Sequence, residues 1–215
     1  MSRPGAVLFD WDNTLVDSWD TIHEAMRHCL TQMGREPWSM AEVKARTRLS
    51  LIEAFPPLFG ARWEEARRLY FARFHEIHLQ RIKPLPGVEA MLDGLAALGV
   101  PLAVVSNKTG DTLRQEAAHF GWTPRFARLV GAGDAAADKP APAPLLMALA
   151  ATGIAPGSHV WYVGDTGIDM QCAANAGCRA VLLHGGVPGD AALAQFAPAL
   201  AFPDCDALLT HIKAL

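Results

Sequence analysis

The sequence predicts an α/β protein: a Rossmann-like parallel sheet with helices on both faces, interrupted by an all-helical insertion. Three observations carry this. Short, continuously apolar runs alternate with amphipathic segments outside residues 18–83, the pattern of parallel strands buried on both faces. Residues 18–83 show helical spacing and no strand signal. Charge changes sign at the same places: residues 18–83 hold eleven Lys and Arg against eight Asp and Glu, while the whole chain carries −3.

The elements follow in order. Ala6-Val7-Leu8-Phe9 is the first buried strand. In the insertion, Trp19, Ile22, Met26, Cys29, Leu30 and Met33 recur every three or four residues, and Gly34 offers a stop. Ser39 and Glu42 form a capping-box pattern for a second helix. Pro56-Pro57 is expected to end a third, and a fourth runs from about Trp63 to Gln80. The sheet resumes after Pro84. Val88 to Leu98 reads as a helix closed by Gly99, and Leu102 to Val105 as a strand. Thr109 to Phe120 is a helix closed by Gly121, Arg128 to Val130 a short strand, and Pro142 to Thr152 a helix with proline in its first turn. Val160 to Val163 is a strand, followed by a helix to about Ala176. Ala180 to Leu183 is the next strand, and weaker helices cover 190–197 and 204–213. The domains are therefore 1–17 with 84–215, and 18–83.

Composition excludes several classes. At 215 residues, 51% hydrophobic and 19% charged, the chain is neither disordered nor a generic basic nucleic-acid binder. No apolar run reaches the roughly 20 residues that span a bilayer. An acid interrupts the opening apolar run too early for a secretory segment, so a cytoplasmic location with reduced thiols is expected. The four cysteines include no C-x-x-C pair, and neither they nor the eight histidines show zinc-ligand spacing. No nucleic-acid or membrane partner is expected, and the protein is read as a monomer or homodimer.

Ligands of open α/β sheets bind beyond the carboxyl ends of the strands. There the sequence places Asp10 and Asp12, Ser106 and Asn107, and Asp165 with Asp169 four residues on. Lys139 lies in the proline-rich approach to a helix. Four carboxylates converging on one rim repel unless a cation neutralises them. Mg²⁺, an oxygen-binding cation that takes a few carboxylates together with water and substrate phosphate, suits such a rim. No G-x-x-x-x-G-K-[ST] phosphate loop is present.

At these residues a family resemblance emerges. Phe9-Asp10-Trp11-Asp12-Asn13-Thr14-Leu15 resembles the D-x-D-x-T/V signature of haloacid-dehalogenase-superfamily phosphohydrolases. Val105-Ser106-Asn107, Lys139-Pro140 and Gly164-Asp165 through Asp169 are similar to its second, third and fourth motifs. The order holds across nearly the whole chain, and the pattern is most similar to the phosphoglycolate-phosphatase-like branch. The insertion looks like a type 1 helical cap, which the resemblance implies closes over the site. Asn13 stands where relatives usually carry glycine. Asn tolerates a left-handed backbone better than most residues, so this departure is expected to be harmless. Trp11 replaces a commoner aliphatic residue and is expected to pack.

The resemblance implies roles. Asp10 is the nucleophile that takes the phosphoryl group as an aspartyl-phosphate. Asp12 is general acid, then general base, which argues for phosphoryl transfer rather than dehalogenation. Ser106 binds a phosphoryl oxygen, and Asn107 either assists it or caps a helix. Lys139 neutralises charge on the phosphoryl group and on Asp10. Asp10, Asp12 (through its carbonyl), Asp165 and Asp169 form the metal set, with Asp169 orienting either metal-bound water or Lys139. Thr166 is read as a helix cap and Lys108 as an exposed neighbour. In the cap, Arg46 and Arg48 are candidates for reading a second anionic group on the substrate, or are ordinary surface arginines. The function implied is Mg²⁺-dependent hydrolysis of small phosphate monoesters, with a small phosphorylated metabolite as partner and a phosphoglycolate-like substrate first. The alternative in the same superfamily is a phosphosugar mutase. A phosphonate hydrolase, for which Lys44 is the only mid-cap lysine, a non-enzymatic phosphoacceptor and a silent binding protein rank lower.

Overall fold

The computed structural model describes residues 2–46, 51–184 and 191–215. The chain divides into two compact units, Asp17–Lys83 and the remainder.

The larger unit is built on a six-stranded parallel sheet. Its strands are β1 (Ala6–Phe9), β4 (Leu102–Thr109), β5 (Leu129–Ala132), β6 (Val160–Gly164), β7 (Arg179–Leu183) and β8 (Leu200–Phe202), in the order β5-β4-β1-β6-β7-β8. β1 lies at the centre, with Leu8 in register with Ala103 on one side and Tyr162 on the other. A four-residue strand with every side chain buried needs cover on both faces, and the helices supply it. α7 (Ala143–Ala150) and α8 (Gly167–Asn175) pack Leu145, Leu149, Met170 and Ala173 against Leu8, Val105 and Tyr162. α5 (Val88–Ala97) and α10 (Cys205–Lys213) pack against each other, and α6 (Gly110–His119) packs on β4 and β5. Each buried Leu or Val of this core contributes about 1.5–3 kcal/mol through removal from water. The fold class expected from the sequence is borne out.

Because all six strands run the same way, their carboxyl ends share one rim. After β1 the chain builds β4 and then β5 on one side, and it returns to place β6 on the other. The strand order reverses at β1, and the polar residues gather there.

The smaller unit holds α1 (Trp19–Gln32), α2 (Met40–Arg46), α3 (Leu51–Phe59) and α4 (Trp63–Arg81) around Met26, Leu30, Phe55, Phe59, Tyr70 and Phe74. The Phe55 ring meets Tyr70 edge-on at 5.7 Å. Two-residue strands β2 (Val16–Asp17) and β3 (Lys83–Pro84) pair where the chain crosses between the units.

The structure corrects the sequence reading in several elements. Pro56 and Pro57 lie inside α3 rather than ending it. Burial of Phe55 and Phe59 on one side of the helix holds the turn that two missing N–H donors weaken. β4 continues to Thr109, four residues past the expected end, with a register shift between Val105 and Thr109. β2, β3 and β8 carry too few residues to show a period-two pattern. α9 (Ala191–Gln195) ends two residues before the expected 197, and residue 190 of the expected range lies outside the described residues.

Candidate active site

β1 delivers Asp10 to the rim, its backbone N–H donating to Val163 O across the sheet at 2.8 Å. The turn that follows is tight. Leu15 N–H donates to Trp11 O at 2.9 Å, and Asn13 holds φ +61°, the left-handed conformation anticipated for it. This turn brings Thr14 Oγ to 3.2 Å from Asp165 Oδ1 and 3.4 Å from Asp10 Oδ2, so its single proton serves one carboxylate at a time.

β6 delivers Asp165, and α8 starts directly after it. Gly164 makes this approach possible, since a Cβ there would sit 2.4 Å from Asp169 Cβ. Thr166 and Asp169 form a capping box: Asp169 Oδ2 accepts from Thr166 N–H at 3.0 Å and from its hydroxyl at 2.6 Å. The cap reading of Thr166 holds.

Lys139 is buried and joins the two halves of the rim. Its Nζ donates to Asp10 Oδ1 at 2.6 Å and to Asp169 Oδ1 at 2.7 Å. Asp169 Oδ1 also lies 3.2 Å from the hydroxyl of Tyr162, whose oxygen is 2.8 Å from Val105 O. Both oxygens of Asp169 thus face protein donors, an arrangement able to orient Lys139.

Asn107 grips the backbone of Lys139 with both ends of its amide. It does not cap α6, whose N-cap is Thr109. Ser106 is buried, and its Oγ accepts from Lys108 N–H at 3.2 Å.

Lys108 is not the exposed neighbour expected. Its side chain is 7% exposed, with Nζ 2.7 Å from Asp12 Oδ1 and 2.6 Å from Glu116 Oε2. The strand extension and register shift in β4 turn it inward. Glu116 and Tyr162 escaped the sequence reading. The signal for Glu116 was its place beside Leu113 and Ala117 on the buried stripe of α6, where an acid requires a partner. Trp11 packs as expected, fully buried and edge-on to Trp122 at 5.8 Å. In the smaller unit, the Arg46 guanidinium stands 4.8 Å from the Trp38 ring centroid and 3.7 Å from Glu42. Arg48 lies outside the described residues.

The electrostatics follow from burial. Asp10 is pushed up to about 7 by desolvation, against the pull of Lys139 and with the repulsion of Asp169. Asp165 is raised well above the usual carboxylate range by burial, then by Asp10 and Asp169. Burial works against the Lys108 ammonium, yet Asp12 and Glu116 lift its pKa above the ordinary lysine value. Asp10, Asp165 and Asp169 each offer an oxygen, all within 4.8 Å of one another, a set able to hold a metal ion. The donors are hard oxygens, and the cluster carries more negative charge than Lys139 neutralises. Both features suit a divalent cation such as Mg²⁺.

A parallel sheet with an aspartate-rich rim, bridged by a buried lysine, defines a class of hydrolases. The sequence profile of that class, haloacid dehalogenase-like hydrolase, matches residues 7–183, and the chain belongs to this family. Among its relatives is the phosphoglycolate phosphatase of Xylella fastidiosa, 35% identical over 81% of this chain and 77% of that one. Another is the phosphoglycolate phosphatase of Cereibacter sphaeroides, 32% identical over 85% and 86%. A haloacid dehalogenase-superfamily hydrolase from Ehrlichia chaffeensis superposes with TM-score 0.69 at 30% identity, covering 100% and 98%. A haloacid dehalogenase-like hydrolase from Streptococcus pneumoniae shares the fold with TM-score 0.86 at 22% identity, covering 96% and 97%. The resemblance drawn from the four motifs is borne out. Among the described residues, no helix is long and apolar enough to cross a membrane.

Proposed function

We propose that this protein hydrolyses small phosphate monoesters with Mg²⁺, a phosphoglycolate-like substrate first, through an aspartyl-phosphate on Asp10. One observation carries the reading: the buried Lys139 Nζ touches both Asp10 and Asp169 beside Asp165, within an acid-rich rim. Such a rim accommodates a divalent cation, which together with Lys139 offsets the carboxylate charge and lets a phosphoryl group approach. Two relatives of the chain are phosphoglycolate phosphatases, which supports the substrate class.

Asp10 and Asp165 carry the side chains that would hold Mg²⁺, with the Asp12 carbonyl beside them. The cation would supply charge neutralisation at the phosphoryl oxygens. The protein's own groups do the rest. An Asp10 oxygen attacks phosphorus while Lys139 keeps that carboxylate oriented and ionised. Ser106 donates its hydroxyl to a phosphoryl oxygen. Asp12 gives a proton to the leaving ester oxygen, then takes one from the water that releases phosphate and restores Asp10. Asn107 and Asp169 hold Lys139 in place rather than touching the phosphoryl group. The four cysteines are free thiols, in keeping with a cytoplasmic protein.

The test is a panel of phosphate monoesters, including phosphoglycolate, sugar phosphates and p-nitrophenyl phosphate, assayed with and without Mg²⁺. Turnover that needs Mg²⁺ and is lost in Asp10→Asn supports the reading. Phosphate transfer between sugar hydroxyls instead of release would favour a mutase.

A further inference from the structure

Glu116 is fully buried on α6 and lies far along the chain from the motif aspartates. One of its oxygens, Oε2, accepts two hydrogen bonds: from Trp11 Nε1 at 2.7 Å and from Lys108 Nζ at 2.6 Å. Trp11 is the residue between Asp10 and Asp12, and Lys108 Nζ lies 2.7 Å from Asp12 Oδ1. The contacts close a ring. It runs from the Asp12 carboxylate through Lys108 and Glu116 to the Trp11 indole, and back along one peptide bond to Asp12.

This ring is more than generic ion pairing. Desolvating an ammonium and a carboxylate is costly, and a hydrophobic pair would fill the same space without that cost. The ionic pair instead clamps the turn carrying Asp10 and Asp12 from two sides. Trp11 fixes its backbone and Lys108 fixes the Asp12 side chain, which is itself 25% exposed. A proton donor must be placed to within a fraction of an ångström, and a partly exposed carboxylate without such a clamp samples several rotamers.

We propose that Lys108 and Glu116 are positioning residues that hold the Asp12 carboxylate for proton transfer. The inference rests on the acid–base role proposed for Asp12. In the first step the Asp10–phosphorus bond forms, and the ester P–O bond breaks with its electron pair going to the ester oxygen. The Asp12 proton passes to that oxygen. In the second, Asp12 takes a proton from water, the water oxygen bonds to phosphorus, and the acyl-phosphate P–O bond returns its pair to Asp10. Lys108 and Glu116 exchange no proton in either step. Misplacing Asp12 therefore penalises leaving groups that need a proton.

The readout is the leaving group. p-Nitrophenolate departs without protonation, whereas an alkoxide requires it. kcat/KM reports the chemistry up to the aspartyl-phosphate, so the first step is seen apart from the second. The double variant Lys108→Met with Glu116→Gln removes both charges together and leaves no buried charge unpaired. Its kcat/KM should fall about tenfold or more for the alkyl phosphate that the panel ranks first, but less than about threefold for p-nitrophenyl phosphate. E116Q alone should show a smaller split in the same direction, which keeps the test open if the double variant folds poorly. Equal losses for both esters, or a rise in KM alone, would overturn the proposal. D12N is measured alongside. If D12N shows the split and the ring variants do not, only the positioning role fails. If D12N lacks the split, or the unaltered protein turns over neither ester, the acid–base reading fails and takes the positioning role with it.

Discussion

Asn107 spends its whole side-chain amide on one residue: Nδ2 donates to Lys139 O and Oδ1 accepts from Lys139 N–H, each at 3.0 Å. The pairing ties the strand end at β4 to the loop that carries the buried ammonium. It gives a residue expected to bind phosphate a different contact, holding the backbone from which Lys139 reaches Asp10.

Asn107→Ala should therefore lower kcat more than it raises KM. Losing two hydrogen bonds to a half-buried backbone costs about 1–3 kcal/mol of stability. A small displacement of Lys139 costs roughly tenfold or more in rate. Steady-state kinetics with p-nitrophenyl phosphate, together with a melting curve, check both. A rise in KM at constant kcat would return Asn107 to direct phosphate binding.

The proposed Mg²⁺ site would couple metal binding to pH through Asp10. Its pKa is raised from the model-peptide carboxylate range to about 7, chiefly by burial. In the metal-free protein this group binds its proton more tightly folded than unfolded. Its contribution to stability is complete below the unfolded pKa and is lost as pH rises through about 7. A cation beside the ionised carboxylate reverses that loss. The rise in Tm on adding Mg²⁺ should accordingly be larger at pH 8 than at pH 5. An equal rise at both would show that Mg²⁺ does not meet the Asp10 carboxylate.

The smaller unit responds to acid in the opposite sense. Glu24 is lowered to about 2, first by the hydrogen bond from Arg27, with burial opposing and Arg73 adding a second bond. A depressed carboxylate stabilises above its unfolded pKa of 4.5 and loses that contribution as pH falls toward 2. Glu24→Gln should destabilise by about 1 kcal/mol at pH 7 and by progressively less below pH 4.5. Denaturant melts of both proteins at pH 7 and pH 3 give the comparison.

Asn13, directly after Asp12, occupies φ +61°. Asn13→Gly should keep activity within about twofold, because glycine adopts this conformation freely. Asn13→Val should cost about 1–2 kcal/mol and distort the turn that sets Asp10 against Thr14. Melting temperature and kcat, measured on both variants, distinguish a backbone requirement from a side-chain one.

The sequence alone determined the alternation of strands and helices, the place of the insertion and the acids, serine and lysine of the rim. These features are local: a continuous apolar run, a glycine stop, or an acid at a strand end is written within a few neighbouring residues. The tertiary structure decided what those residues touch. Asn107 meets Lys139 because β4 and the loop after β5 end on the same rim, 32 residues apart in sequence. Glu116 meets Trp11 across 105 residues because α6 packs over the strand beside β1. Lys108 reads as an ordinary surface lysine until the irregular end of β4 turns it onto Asp12. Pro56 and Pro57 read as a stop until buried Phe55 and Phe59 hold the helix through them. The Asn107, Glu116 and Lys108 outcomes each depend on a partner brought near by strand register and helix packing, and no short stretch of sequence contains both members of such a pair; the helix through the prolines depends on what buries Phe55 and Phe59.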